Sequence, residues 1–162
     1  MSDELMPRDD GLVVATAAQL PQSEIREFLA FLVAGEEYAV ELARIREIVS
    51  APAITTVPRS SKDVIGICSV RGLLVTVIDL RRRLRVPEAP ASRHSRILLS
   101  QTDSGEVVGL FVDEVKHVVR LRSSEIEIAH AVLGNDLSEY VMGIGRSDGD
   151  VIVLLDLRSI TE

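Results

Sequence analysis

The sequence predicts an all-β protein made of two packed five-stranded SH3-like barrels with short helical turns. Ten short runs rich in Val, Ile, Leu and Phe alternate with turn residues and charged residues, which is the spacing of short strands. Segments with helical character are few and short. The second half of the chain also repeats the pattern of the first half, so each half is expected to hold five strands.

The strands are predicted to follow one another from residue 28 onward. Those of the first half are 28–33, 37–42, 45–49, 64–70 and 73–79. Those of the second half are 96–101, 107–112, 115–121, 140–145 and 151–156. Helical turns are predicted at 60–64, 80–84, 123–126 and 157–160. These assignments rest on the β-branched and aromatic content of the runs and on the turn or polar residues that separate them.

The chain is expected to divide into a tail and one folded region. Residues 1–27 mix Asp, Glu, Pro, Gln and Ser with little periodicity, which favours a flexible tail over an ordered extra element. Residues 28–162 form the folded region, with a first barrel at about 28–85 and a second at about 95–158. Closing each sheet into a barrel removes its unpaired strand edges. A barrel of about 65 residues would be only marginally stable alone, so the two barrels should pack together and leave a groove between them.

The internal repeat is visible in two shifts. A shift of 70 residues places the glycine and apolar positions of 35–49 on those of 105–119. A shift of 77 places 64–81 on 141–158, and the patterns Val-x-Gly-Ile and Asp-Leu-Arg keep the same separation in both copies. Chance similarity among Val-rich strands is the alternative, but the conserved separation favours a duplication.

Composition excludes several classes of protein. The net charge of −7 and the pI near 5.0 argue against general nucleic-acid binding, which requires a positive field. No apolar run approaches the length that spans a bilayer, and the first residues lack the pattern of a secretory signal. The single cysteine, Cys68, fits a reducing compartment. We therefore expect a cytoplasmic protein.

The two copies differ at one hairpin tip. Asp148-Gly149 is ordinary turn chemistry in the second copy, whereas Arg71-Gly72 occupies the aligned position in the first copy. The glycine is kept for its positive φ, but folding alone does not require the guanidinium. An arginine presents a planar set of donors suited to a carboxylate of a partner. A solvated turn residue is the alternative interpretation.

The other reactive residues do not assemble an active site. Cys68 lies in an apolar strand and is interpreted as a small core residue. Asp79 and Asp156 both precede Leu-Arg and are expected to cap short helical turns. None of the histidines has metal-ligand spacing to another; they are His94, His117 and His130. We expect no enzymatic activity, no cofactor and no metal.

Residues 28 to the C-terminus resemble the CheW family of bacterial chemotaxis coupling proteins. The resemblance rests on GEEYAVELARIREIV, TTVPRSSKDVIGICSVRGLLVTVIDLR, VVGLFVDEVKHVV, YVMGIG and VIVLLDL, in that order. It implies two intertwined five-stranded SH3-like barrels. It also implies an adaptor that couples the cytoplasmic hairpin tip of methyl-accepting chemoreceptors to the regulatory domain of the histidine kinase CheA, recruited to receptor arrays at the inner membrane.

The resemblance also implies two sets of binding residues. The family turn Asn-Leu-Arg-Gly corresponds here to residues 69–72, with Ser69 in place of the asparagine, which puts the choice of partner in question. The residues similar to the receptor-binding set are Arg71, Glu47, Ile45 and Leu98. Those that fall where the kinase domain would pack are Ile54, Thr55, Thr56 and Gly66.

Three other functions remain open at this point. The chain could be a coupling protein of a non-flagellar chemosensory pathway, or a detached regulatory domain of the kinase. A third interpretation is a small nucleic-acid-binding barrel that uses the basic groups of residues 81–96. The prolines and small residues of that stretch favour a solvated linker instead. With an aromatic content of 3%, the chain also has few side chains on which nucleic-acid bases could stack.

Overall fold

The computed structural model describes residues 24–58, 61–128 and 139–161. The prediction of a flexible tail falls almost entirely on residues outside these ranges, and so does His130. The first strand begins at Ile25, three residues before the predicted boundary, because Ile25 already pairs with Arg122 of a neighbouring strand.

The described residues form eleven strands, two short α-helices and two 3-10 turns, which confirms the all-β prediction. The strands of the first half are β1 Ile25–Val33, β2 Glu36–Glu41, β3 Ile45–Ser50, β4 Val64–Val70 and β5 Leu73–Asp79. Those of the second half are β6 Arg96–Gln101, β7 Val107–Val112, β8 Glu114–Arg122, β9 Glu127–Ile128, β10 Val141–Ser147 and β11 Asp150–Leu155. The helices are α1 Leu80–Arg83 and α2 Leu157–Thr161, and the 3-10 turns are Leu42–Arg44 and Ser123–Glu125.

The predicted strands all occur, but one predicted helical turn does not. In the described part of 60–64, the backbone N–H of Val64 donates to the carbonyl of Ser61 at 3.0 Å, and Val64 then begins β4. Lys62 and Asp63 form a turn, and the carbonyl of Asp63 accepts a hydrogen bond from the backbone N–H of Asp79 at the end of β5. The additional strand is β9, which pairs with β10 through Ile128 and Glu127.

The strands form two sheets that do not follow the predicted division of the chain at residues 85–95. One sheet has six strands in the order β8-β1-β2-β11-β10-β9, and the other has five in the order β3-β6-β7-β5-β4. Each sheet therefore contains strands from both halves. This corrects the assignment of one barrel to 28–85 and another to 95–158, and it agrees with the intertwined arrangement implied by the family resemblance.

The exchange of strands is reciprocal. Parallel pairing joins Val77 of β5 to Gly109 of β7 in one sheet and Leu154 of β11 to Ala39 of β2 in the other. The shifts of 70 and 77 residues relate these two pairs position by position. The β3–β6 and β8–β1 pairs also correspond, but β6 is related to β1 by a shift of 69: Val49 pairs with Ile97, and Val119 pairs with Phe28. The duplication inferred from the sequence thus appears as two equivalent sets of strand pairs that share both halves of the chain.

The core lies in three layers because the central strands are buried on both faces. On β1, Leu29, Phe31 and Val33 face a central cluster between the sheets, whereas Phe28 and Ala30 face a second cluster within the six-stranded sheet. The five-stranded sheet covers a third cluster, made by Cys68, Val75, Val77, Ile97, Leu99 and Phe111. The alternation of side chains along each strand distributes neighbouring residues between these layers.

Candidate functional site

The β4–β5 hairpin presents Arg71 at its tip on the same backbone turn that the second copy uses. Arg71 and Gly72 have φ values of 51° and 83°, and Asp148 and Gly149 have φ values of 53° and 84°. Two consecutive positive φ angles are typical of the tight turn that matches the twist of a hairpin. Because Asp tolerates this left-handed conformation better than Arg, turn formation does not account for the arginine.

The guanidinium of Arg71 is directed across the sheet surface towards β3. Its Nη1 atom lies 2.5 Å from Oε1 of Glu47, in an ion pair between residues 24 positions apart. The Arg71 side chain is nevertheless 74% exposed, and that of Glu47 is 28% exposed. An exposed pair of this kind contributes little to stability, so the guanidinium remains available to a visiting carboxylate.

A groove with a volume of about 240 Å³ lies beside this ion pair. Its walls come from the five strands β3 to β7 and the turn between β4 and β5; the lining residues are Arg46, Glu47, Val70, Arg71, Leu73, Val75, Leu99 and Val107. Val75 and Leu99 belong to the third core cluster, so the floor of the groove is the outer surface of that cluster. The groove therefore combines an aliphatic floor with a charged rim, an arrangement suited to a side of an amphipathic helix.

The structure brings together two of the four predicted receptor-binding residues and separates the other two. Arg71 and Glu47 share the rim of the groove. Leu98 is completely buried in the central cluster, and the groove is lined by its neighbour Leu99 instead. Neighbouring side chains along a strand point to opposite faces of the sheet, so Leu98 and Leu99 lie in different core clusters, and Leu99 is the one on the side of the groove. Ile45 is half-buried against the central cluster and does not line the groove.

The predicted kinase-binding residues lie together at the outer edge of β4. Thr55 forms an isolated antiparallel bridge with Ile67, with both backbone hydrogen bonds at 2.8 Å. Ile54 packs against the third core cluster, and the side chains of Thr55 and Thr56 are exposed. Gly66 lies beneath this segment, where an added Cβ would come within 2.1 Å of the carbonyl oxygen of Thr55. Gly66 thus serves the close approach of two backbone segments.

The basic segment after β5 is largely used within the chain. Arg81 is buried, binds Asp79 at 3.0 Å, stacks over the ring of Phe111 at 4.9 Å and donates to the carbonyl of Ala89. The hydrogen bond to Asp79, with the nearby carboxylates, raises the pKa of Arg81 above its ordinary value. Neighbouring ion pairs join Arg82 to Glu88 at 3.2 Å and Arg83 to Asp63 at 2.9 Å. The expectation of a solvated linker is therefore wrong for Arg81 and Arg83, which the sequence pattern alone did not reveal as internal.

Two aspartates and the single cysteine occupy the positions that the sequence predicted. The backbone N–H of Arg81 donates to Asp79 at 2.9 Å, and that of Arg158 donates to Asp156 at 3.1 Å, so both aspartates cap short helices as expected. Cys68 is buried in the core as predicted, and burial raises the pKa of its thiol, which opposes thiolate chemistry. Over the described ranges, no cluster of His, Cys, Asp or Glu could hold a metal ion.

Comparison with known proteins decides the family. A family model described as the CheW-like domain matches residues 27–162, the whole chain after its first 26 residues. The chain belongs to the CheW family. Its relatives include the chemotaxis protein CheW of Bacillus subtilis, with 29% identity over 136 residues, covering 84% of this chain and 86% of that protein. The CheW protein of Helicobacter pylori is 25% identical over 146 residues, covering 90% and 87%.

A solved structure supports the same assignment. The scaffolding protein TtCheW from Thermoanaerobacter tengcongensis superposes with a TM-score of 0.77 and 29% sequence identity, covering 85% of this chain and 88% of that chain. The chain is therefore a chemotaxis coupling adaptor, since coupling receptors to the kinase CheA is the role of the CheW family. Among the described residues, no helix is long and apolar enough to cross a membrane.

Proposed function

We propose that this CheW-family adaptor binds the chemoreceptor hairpin tip in the groove beside Arg71 and binds the regulatory domain of CheA at the edge of β4. The adaptor is proposed to act without enzymatic activity or a cofactor, in the cytoplasm, where its partners recruit it to receptor arrays at the inner membrane. The receptor site is proposed because the guanidinium of Arg71 is exposed at the rim of an aliphatic groove.

The chemistry of the groove suits a helix of the receptor tip. Leu73 is 53% exposed at its margin, and Val75 and Leu99 form its floor. Burial of apolar surface contributes roughly 25 cal/mol per Å², so a few aliphatic side chains from a helix supply most of the binding free energy. The pair formed by Arg71 and Glu47 adds register and selects the partner, because rim charges contribute more to specificity than to affinity.

The substitution Arg71→Glu tests the receptor site. We expect the thermal unfolding midpoint to change little, because the side chain is mostly exposed, while recruitment to receptor-containing membranes falls sharply. Co-sedimentation with these membranes, with and without the kinase, measures the effect. Asp148→Arg, at the equivalent tip of the second copy, is the matched control and should leave recruitment unchanged. Native recruitment by R71E would reduce Arg71 to an ordinary turn residue.

The β4 edge suits a second partner because β4 is an edge strand of its sheet, and the bridge to Thr55 pairs its backbone at Ile67. We expect Ile54→Glu to weaken association with the kinase more than association with receptors. Because Ile54 packs partly against the core, the exposed Thr56→Glu provides a second variant with less risk to folding. Binding of each folded variant to isolated CheA and to receptor membranes is measured separately. Equal loss of both would contradict two separable surfaces.

Two of the alternative functions lie within the same fold. The relatives named above are CheW proteins, which supports an adaptor rather than a detached regulatory domain of the kinase. A coupling protein of a non-flagellar pathway would have the same binding surfaces and differ only in which receptors and kinase it joins. Recruitment assays with receptors and kinases of each pathway discriminate between them.

The nucleic-acid alternative lacks support from the basic segment. Arg81 and Arg83 are committed to carboxylates and carbonyl groups of the chain itself. We expect no salt-sensitive mobility shift with single-stranded or double-stranded oligonucleotides. A shift that disappears when the salt concentration is raised would favour the alternative.

A further inference from the structure

We propose that the receptor site extends beyond the groove as an arginine stripe, formed by Arg44, Arg46, Arg71 and Arg158, which binds acidic side chains along a helix of the receptor hairpin. The inference rests on the proposed receptor site at Arg71 and adds the chemistry of the partner surface. The residues that it adds to the receptor site are Arg44, Arg46 and Arg158.

The stripe is continuous because neighbouring depressions share their lining residues. Arg46 lines the groove beside Arg71 and also a second, open depression of about 460 Å³ that includes Arg44 and Gln101. Arg44 and Gln101 in turn line a smaller depression together with Arg158. The stripe therefore runs from the β4–β5 hairpin, past the start of β3, to α2 at the end of the second copy.

Three of the four guanidiniums of the stripe, those of Arg44, Arg46 and Arg158, are weakly engaged within the described part of the chain, whereas that of Arg71 pairs with Glu47. Over 24–58, 61–128 and 139–161, the side chains of Arg44 and Arg158 form no hydrogen bond or ion pair, and Arg46 makes only a long hydrogen bond of 3.5 Å to Gln101. This contrasts with Arg81, which is buried and bound to a carboxylate. Cations that a folded chain leaves without close counterions can bind a partner without breaking internal pairs.

The local charge is positive on a chain that is acidic as a whole. The residues that line the three depressions include the four arginines of the stripe and three acids, which are Glu41, Glu47 and Asp103. Of these acids, Glu41 is bound to Arg26 at 3.1 Å and Glu47 is bound to Arg71. The net charge of the whole chain is −7. A positive stripe on such a protein attracts an acidic surface and orients it during encounter. Because the stripe continues the aliphatic groove, one amphipathic helix with an acidic flank can occupy both.

Substitution of the two outer arginines tests the stripe without changing the groove. The probe is a soluble cytoplasmic hairpin fragment of a methyl-accepting chemoreceptor, and Kd is measured by calorimetry from about 50 mM to about 500 mM salt. We expect R44Q/R158Q to raise the Kd by about three- to tenfold at low salt and to flatten its salt dependence. Arg120→Gln is the matched control, since the side chain of Arg120 is 67% exposed on β8 and lines none of these depressions. The Kd of this variant should stay within about twofold of the native value.

The same assay separates failure of the stripe from failure of the receptor site. A native Kd and salt dependence for R44Q/R158Q, with loss of binding by R71E, would overturn the stripe and retain the receptor groove. Native binding by R71E would overturn the receptor site and the stripe with it. Dependence of anionic-vesicle or oligonucleotide binding on Arg44 and Arg158, without an effect on the receptor fragment, would assign these arginines to another partner and also overturn the proposal. Thermal unfolding confirms that each variant is folded.

Discussion

At the residue scale, Gly66 shows how one missing side chain positions a candidate binding surface. The carbonyl of Thr55 lies where a Cβ of residue 66 would be, so the segment around Thr55 can cover the edge of β4 only above a glycine. Gly143 plays the same part in the second copy, where a Cβ would come within 2.7 Å of the carbonyl oxygen of Glu127. The two copies thus use one solution, and each glycine also lies at a register shift of its hairpin.

We predict that Gly66→Ala destabilises the protein by about 1 to 3 kcal/mol, because the backbone of residues 55 and 56 must move away from the new methyl group. Urea unfolding measures the change. The exposed Ser69→Ala on the same strand is the control and should change the free energy of unfolding by less than about 0.5 kcal/mol. If Gly66→Ala is as stable as Ser69→Ala, the close approach is not a constraint on folding.

Arg71 illustrates the opposite case, in which a residue is poorly suited to its backbone. Its φ of 51° is one that L residues seldom adopt, and the second copy places an aspartate there with almost the same angle. Its ion pair with Glu47 contributes little to stability because both partners remain accessible to solvent. A strained, exposed cation at the rim of an apolar groove is more readily explained by binding than by folding.

At the element scale, the two copies use the same short helix differently. Asp79 caps α1 and Asp156 caps α2, each by accepting a backbone N–H from the residue two positions later. Only Arg81 folds back onto its own cap, however, with Nε donating to one oxygen of Asp79 and Nη2 donating to the other, each at 3.0 Å. Arg158 is exposed instead. The duplication therefore left one helix start buried and internally paired and the other open to the surface.

We predict that Arg81→Ala costs about 3 kcal/mol of folding free energy, because the buried carboxylate of Asp79 loses its close cation and keeps the longer ion pair to Arg82 at 3.8 Å. Arg158→Ala is the matched control at the repeat-related position and should cost less than about 0.5 kcal/mol, since its side chain is exposed. Chemical unfolding of both variants provides the comparison. Similar small losses for both would show that the pair with Asp79 contributes little beyond the helix cap.

At the scale of the whole molecule, the exchange of strands makes each half depend on the other. The five-stranded sheet takes β6 and β7 from the second half, and the six-stranded sheet takes β1 and β2 from the first. The central core cluster contains residues from both sheets and both helices. Because these contacts join residues far apart in the sequence, the ends of long loops must meet before the core is complete.

We predict that neither half folds when the chain is divided in the linker between residues 90 and 91. Each fragment would lack the strands that satisfy the backbone groups of its central strands, and would expose half of the shared core. Circular dichroism and urea unfolding of the separate fragments, and of the equimolar mixture, make the comparison. Cooperative unfolding by either fragment alone would contradict an obligatory exchange.

The sequence by itself determined the elements and their repetition. Strand positions, the caps at Asp79 and Asp156, the tight turns and the buried cysteine follow from local periodicity and from the conformational preferences of single residues. The family resemblance added the adaptor role, and the comparisons confirmed it. These features are accessible because the residues that specify them lie within a few positions of one another.

Only the tertiary structure decided which strands pair and which side chains meet. The alternation of apolar and polar residues along each strand is the same whether each half of the chain forms its own sheet or the halves exchange strands. The sequence pattern therefore could not choose between the two arrangements, since burial of the shared core depends on the whole chain. For the same reason, only the tertiary structure places Leu99 rather than Leu98 in the groove and brings Arg71 close to Glu47. Long-range packing sets the face, the neighbour and the exposure of each residue, and these define the candidate binding surfaces.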